Sequence, residues 1–188
     1  MTAGRHRPVL PPSSHEGAEP VGRLVAIDAS AFPRSPTGQL AAGAVAGVAG
    51  ASVIELARVD AEALLGRGQH RSVAEAIQSV ACAEVLLVAT PVYRGSYSGV
   101  LKAFFDLLPP GVLDGVDCFL LSTGSTDTAP PGLAAAVGEL VASLGGRLAP
   151  GSRHVRISQV DVEAGPGPDE MALACAAVAD AVARRGGR

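Results

Sequence analysis

Along the chain, short apolar runs alternate with longer stretches whose apolar positions recur at helical spacing. Arg23-Leu24-Val25-Ala26-Ile27 reads as a buried strand, and a loop from Asp28 to Pro36 leads into a helix from about Thr37 to Gly50. Ala51 to Leu56, with β-branched Val53 and Ile54 at its centre, predicts a second strand. Residues 58–69 are polar and irregular, and Ser72 is a suitable N-cap for a helix to about Ala81. Glu84 to Thr90 is apolar without alternation, as a parallel strand covered on both faces requires, and Pro91 is expected to stop it. Ser98 to Leu108 returns to helical spacing, with Val100, Leu101, Phe104, Leu107 and Leu108 on one side. Val116 to Leu121 predicts a fourth strand, and Leu133 to Leu144 a helix ended by Gly145-Gly146. Val155 to Val160 alternates like an edge strand, and a turn at Gly165 to Pro168 precedes a last helix from Asp169 to about Arg185.

Five strands, each followed by a helix, with right-handed crossovers, give an α/β, doubly wound, five-stranded parallel sheet with helices on both faces. Residues 23–188 form this one domain, and residues 1–22, rich in Pro, Ser and Gly, form a disordered N-terminal tail. Ligands of such sheets gather beyond the carboxyl ends of the strands, where the strand order reverses. The loops after Ile27, Thr90 and Ser122 are therefore the candidate site.

Composition narrows the function. The 48% hydrophobic content excludes disorder for the chain as a whole, and 3% aromatics without Trp require a core of Ala, Val and Leu. A formal charge of −3, with cations clustered only at Arg5-His6-Arg7 and Arg184-Arg185, argues against a nucleic-acid partner. Cys82, Cys118 and Cys175 show no CxxC spacing, the usage of a reducing compartment. Residues 1–22 contain no apolar signal core, and Leu40 to Ile54 falls short of the ~20 residues that span a bilayer. A soluble cytoplasmic protein with no membrane partner is expected. His6, His15, His70 and His154 are too scattered for a zinc site, so no metal is expected.

The first candidate loop places the hydroxyls of Ser30, Ser35 and Thr37, with Arg34, just before a helix N-terminus. Amides and the helix dipole favour an anion such as phosphate there, although Ser35 or Thr37 could equally be an N-cap. Neither a Walker A loop nor GxGxxG is present. The second loop, Thr90-Pro91-Val92-Tyr93-Arg94, continues to Tyr97, and Tyr93 and Tyr97 are the only tyrosines of the chain. They offer a wall for a flat aromatic ligand. The third loop is Ser122-Thr123-Gly124-Ser125. Gly95-Ser-Tyr-Ser-Gly99 is no nucleophile elbow, because its centre is Tyr97.

Residues 85–109, VLLVATPVYRGSYSGVLKAFFDLLP, closely resemble the signature segment of the NAD(P)H-dependent FMN reductases that supply sulfonate monooxygenases. The resemblance implies a flavodoxin-like fold with FMN as cofactor and NADPH or NADH as hydride donor. It also implies a flavin-dependent monooxygenase as partner and a homodimer or homotetramer. By the same likeness Thr90, Pro91, Val92, Tyr93, Arg94 and Ser122 to Ser125 would meet the flavin ring, with Ser30, Arg34, Ser35 and Thr37 at its phosphate. The chain departs from the family where a Gly- and Ser-rich opening becomes Asp28-Ala29-Ser30, which brings a carboxylate towards the phosphate. The family's histidine after Thr-Gly-Gly and its Leu-Arg-Pro run also have no counterpart. An FMN reductase is the leading expectation. A degenerate, non-catalytic accessory protein and a flavodoxin-type electron carrier are the alternatives, the last disfavoured by the mild net charge.

Overall fold

The computed structural model describes residues 23–157 and 165–186. The expected tail and residues 158–160 of the expected edge strand lie outside the described residues. Three strands form the centre: β1 (Leu24–Asp28), β3 (Val85–Pro91) and β4 (Asp117–Gly124). All of their residues are buried except Gly124. Two-residue periodicity divides these side chains between two cores. Val25 and Ile27 of β1 join Leu86 and Val88 against α3 (Arg71–Ala81), α4 (Gly99–Asp106) and α5 (Leu133–Ala142). Leu24 and Ala26 join Val85 and Leu87 against α1 (Pro36–Val45) and α6 (Pro168–Gly186). The absence of alternation in the sequence thus has its expected cause, helices on both faces.

The sheet runs β2-β1-β3-β4-β5, entirely parallel, with β2 (Ser52–Glu55) at one edge. The other edge is divided between β5 (Arg147–Leu148), beside Asp117 and Cys118, and β6 (Arg153–Arg156), beside Leu121 to Gly124. The intervening Pro150, which lacks an N–H, and Gly151, at φ 105°, interrupt the ladder. That interruption explains why alternation marked only the second half of the edge.

Several boundaries differ from expectation. Strand β4 runs three residues past Leu121, carrying Ser122, Thr123 and Gly124 into the sheet, where β6 pairs with them. Pro91 closes β3 from within, opposite Thr123. Helix α1 ends at Val45, and the polar stretch after β2 contains a short helix, α2 (Ala61–Leu64), capped by Asp60 Oδ1 on the Ala63 amide at 2.9 Å. His70, not Ser72, caps α3, and the Ser72 hydroxyl instead accepts the Asp60 amide at 3.2 Å. A polar side chain near a helix start has several orphan amides to choose from, and sequence spacing cannot choose among them.

Candidate functional site

Because β2 and β3 lie on opposite sides of β1, the strand order reverses between β1 and β3, and a cleft of about 560 Å³ opens there at the carboxyl edge. Its first wall is the β1–α1 loop, with Ser30, Phe32, Ser35 and Thr37. Ser35 is the N-cap of α1, its Oγ accepting the Gly38 amide at 3.0 Å, and Pro36 follows at the first helical position. The amide of Thr37, in the first turn, has no helical acceptor and is available to an anion. Ser30 Oγ accepts the Phe32 amide at 3.1 Å and so folds the loop back on itself.

The second wall comes from Pro91, Val92 and Tyr93 after β3, and the third from Thr123, Gly124 and Ser125 at the end of β4. Short hydrogen bonds tie the walls together. Thr37 Oγ1 and Thr123 Oγ1 are 2.6 Å apart, and the Val92 amide donates to Thr123 O at 2.7 Å. Ser98 Oγ donates to Ala29 O at 2.6 Å while accepting the Leu101 amide as N-cap of α4. Substituting Ser98 by alanine would uncap α4 and leave the buried Ala29 carbonyl without that donor. A loss of about 2 kcal/mol is expected, measured by urea unfolding with an unchanged m-value.

The expected chemistry is therefore carried by short polar side chains and backbone, and no charged side chain lines the cleft. Five expected residues stand outside it. Thr90 is fully buried, its hydroxyl accepting the Ser98 amide at 3.0 Å, so it braces the site from beneath. Ser122 is likewise buried, bonded to His154 Nδ1 at 2.9 Å and to Arg153 O at 3.3 Å. Arg34 and Arg94 are exposed at the rim, each in the left-handed region, at φ 58° and 55°. Tyr97, expected as half of an aromatic wall, instead packs half-buried against the core on the α3–α5 face.

Phe32, Pro33, Pro36 and Ile157 complete the lining and were not anticipated. Phe32 had a signal: it is the one phenylalanine outside the apolar runs. It is 64% exposed, and Tyr93 is 45% exposed, while Phe104, Phe105 and Phe119 are buried. The aromatic surface left open in the described residues is thus gathered at the cleft, where a planar ligand could stack. Ile157 arrives only because β6 pairs with β4, with its amide donating to Gly124 O at 2.8 Å. The same pairing brings His154 Nε2 within 3.1 Å of Thr126 O, which pins the loop after Gly124.

Asp28 lies beneath the first loop. It is 2% exposed, and its Oδ1 accepts the Ser30 amide at 3.0 Å. A Cβ on Gly38 would come within 2.3 Å of Asp28 Oδ2, so the carboxylate lies directly against the first turn of α1. Burial pushes its pKa up to about 6; the Ser30 N–H opposes the rise and the charge of Glu55, its neighbour on β2, adds to it. The carboxylate that the sequence placed near the phosphate loop is thus one that protonates readily. Among the described residues, no group of three His, Cys, Asp or Glu side chains could hold a metal ion, and no helix is long and apolar enough to cross a membrane.

Sheet order, helices on both faces and a cleft at the switch point define a flavodoxin-like α/β protein with a site suited to a flat, phosphorylated ligand. Residues 23–151 match the family described as NADPH-dependent FMN reductase, and the chain belongs to that family. It is 42% identical over 78 residues to an FMN reductase (NADPH) of Pseudomonas aeruginosa, a stretch covering 40% of this chain and 42% of that protein. It is 52% identical over 44 residues to an FMN reductase (NADPH) of Escherichia coli, covering 23% of each. These alignments span less than half of the relatives' length. Among solved structures, the apo form of an NADH:FMN oxidoreductase superposes with a TM-score of 0.73 at 28% identity, over 87% of this chain and 89% of that one. A WrbA-like flavodoxin of Agrobacterium tumefaciens shares the fold, with a TM-score of 0.60 at 16% identity over 89% of this chain and 99% of that one.

Proposed function

We propose that the protein is an NAD(P)H-dependent FMN reductase that hands reduced flavin to a partner monooxygenase. The observation that carries this reading is the cleft itself. It combines a capped helix N-terminus, two open aromatic side chains and walls free of charge at the switch point of the sheet. Those features fit FMN: the hydroxyls of Ser30, Ser35 and Thr37 and the free Thr37 amide at the start of α1 would hold the phosphate. Pro91, Val92, Tyr93, Thr123, Gly124 and Ser125 would flank the ring. FMN, when bound, supplies a ring that accepts hydride from NAD(P)H, so no acid or base from the protein is required. The chain's own residues bind, orient and keep water from the ring edge. The similarity to relatives named NADPH- and NADH-dependent FMN reductases supports the same chemistry.

Asp28 supports release rather than retention. A buried carboxylate against the phosphate-binding turn weakens the hold on an anion at neutral pH, which suits a protein that gives its flavin away. The same observation favours the second reading, a family member that kept the fold and lost the cofactor. Work in the cytoplasm and assembly as a homodimer or homotetramer are part of the proposal through the family likeness.

Titrating apoprotein into FMN and following quenching separates the readings. A dissociation constant near or below ~10 µM, weaker for riboflavin, is expected of the reductase. No quenching at ~1 mM FMN would leave only the non-catalytic reading.

A further inference from the structure

The rim of the cleft carries a charge pattern that the flavin leaves unexplained. Arg23, which precedes β1 at the amino edge of the sheet and so lies away from the cleft, has no ion pair with another described residue. From Leu24 to Ile157, the described lysines and arginines are ion-paired, with two exceptions. The pairs are Arg58–Glu55, Arg67–Glu62, Arg71–Glu75, Lys102–Asp106, Arg147–Asp117, Arg153–Asp180 and Arg156–Asp127. The exceptions are Arg34 and Arg94, neither of which has an ion pair with another described residue. Both flank the cleft, Arg34 between the lining residues Pro33 and Ser35, and Arg94 next to Tyr93. In a chain whose formal charge is −3, two uncompensated cations beside one uncharged cleft are not a surplus finding random places.

Both arginines also occupy backbone conformations that arginine disfavours. They are the non-glycine residues with positive φ among the described residues. Tyr93 and Ser96 exchange hydrogen bonds of 2.9 and 3.1 Å, enclosing Arg94 at φ 55° and Gly95 at φ 80°. That is the geometry of a two-residue type I′ hairpin, where the first central position favours Asn, Asp or Gly. Local turn energetics therefore do not account for an arginine there. Strain of this kind is tolerated where the side chain has a task.

We propose that Arg94, with Arg34 on the opposite wall, forms an anion grip for the adenosine-phosphate end of the hydride donor and selects NADPH over NADH. This rests on the flavin reading above. The single phosphate of FMN belongs to the first turn of α1, inside the cleft. A further anionic group must therefore come from a second ligand, and the donor carries a pyrophosphate on either coenzyme and a 2′-phosphate only on NADPH. A guanidinium presents paired donors to phosphate, and two such groups on separate walls suit two separated phosphates.

The test uses FMN-loaded protein and the variant Arg94→Asn, which removes the guanidinium while supplying the residue the turn prefers. Thermal stability should hold or rise, and FMN affinity should stay as in the wild type. The dissociation constant of adenosine 2′,5′-bisphosphate should rise about tenfold or more, with that of AMP changing less than about threefold. KM for NADPH should rise in parallel while that for NADH moves little, and Arg94→Lys should restore part of the loss. Arg34→Gly, which keeps its φ, should add to the defect. Equal losses for NADPH and NADH, or none for either, would overturn the selection. A wild-type protein that takes up no FMN would instead overturn the flavin reading beneath it.

Discussion

Asp28→Asn should tighten FMN binding at neutral pH by roughly ten- to a hundredfold, the range that one charge at helical-turn distance produces at intermediate dielectric. The carboxylate lies against the same first turn whose Thr37 amide would meet the phosphate, and at neutral pH it is ionised because its pKa lies at about 6. Lowering the pH through 6 protonates it and should strengthen FMN binding in the wild type. The variant should lack this component. Because the flavin phosphate titrates in the same region, the informative quantity is the difference between the two proteins at each pH, with riboflavin insensitive to the substitution.

The same carboxylate makes stability depend on pH. Its folded pKa is raised from 3.8 to about 6, so the native state holds the proton more tightly than the unfolded chain. This contribution is fully present below about pH 4 and is lost as pH rises through 6. The loss is on the order of 2–3 kcal/mol. Denaturant unfolding of apoprotein should therefore show wild type gaining stability on acidification across that window, against a flat response from Asp28→Asn at this site. Parallel curves for the two proteins would mean that Asp28 is not buried as described.

Gly38→Ala should cost about 2–4 kcal/mol and abolish tight FMN binding, against the usual gain from replacing a helical glycine by alanine. The added Cβ would lie 2.3 Å from Asp28 Oδ2 and 2.9 Å from its Cγ. Neither partner can yield cheaply: the carboxylate is buried and holds the Ser30 amide, and α1 is anchored by Ser35. The two sites must couple. In an Asp28→Gly background the clash disappears, so Gly38→Ala should become neutral or stabilising, measured by a double-mutant cycle in denaturant. Additive effects of the two substitutions would show that Gly38 is required for some other reason.

The alternation of apolar runs with helical periods was sufficient to determine the architecture of this protein. A strand apolar at every position can be satisfied only between two layers of helices, so LVAI and VLLVA each imply a doubly wound sheet. The site's location followed from that topology, and Ser30, Ser35, Thr37, Pro91 to Tyr93 and Thr123 to Ser125, which line the cleft, were singled out because each lies at or after the carboxyl end of a strand. Hydroxyls and arginines were less legible, because their roles depend on neighbours remote in sequence. Thr90 and Ser122 resemble cleft residues until Ser98 and His154 claim their hydroxyls. The sequence suggests Arg34 at the flavin phosphate and Arg94 beside the ring, whereas the structure sets both at the rim with positive φ angles. Ile157 and His154 reach the site only through β6, whose pairing is hidden by the break at Pro150. Local pattern determined which surfaces had to be buried, since that depends on the period of the chain alone. Tertiary structure decided which polar groups remained for a ligand, since a hydrogen bond is assigned by distance in space rather than along the chain.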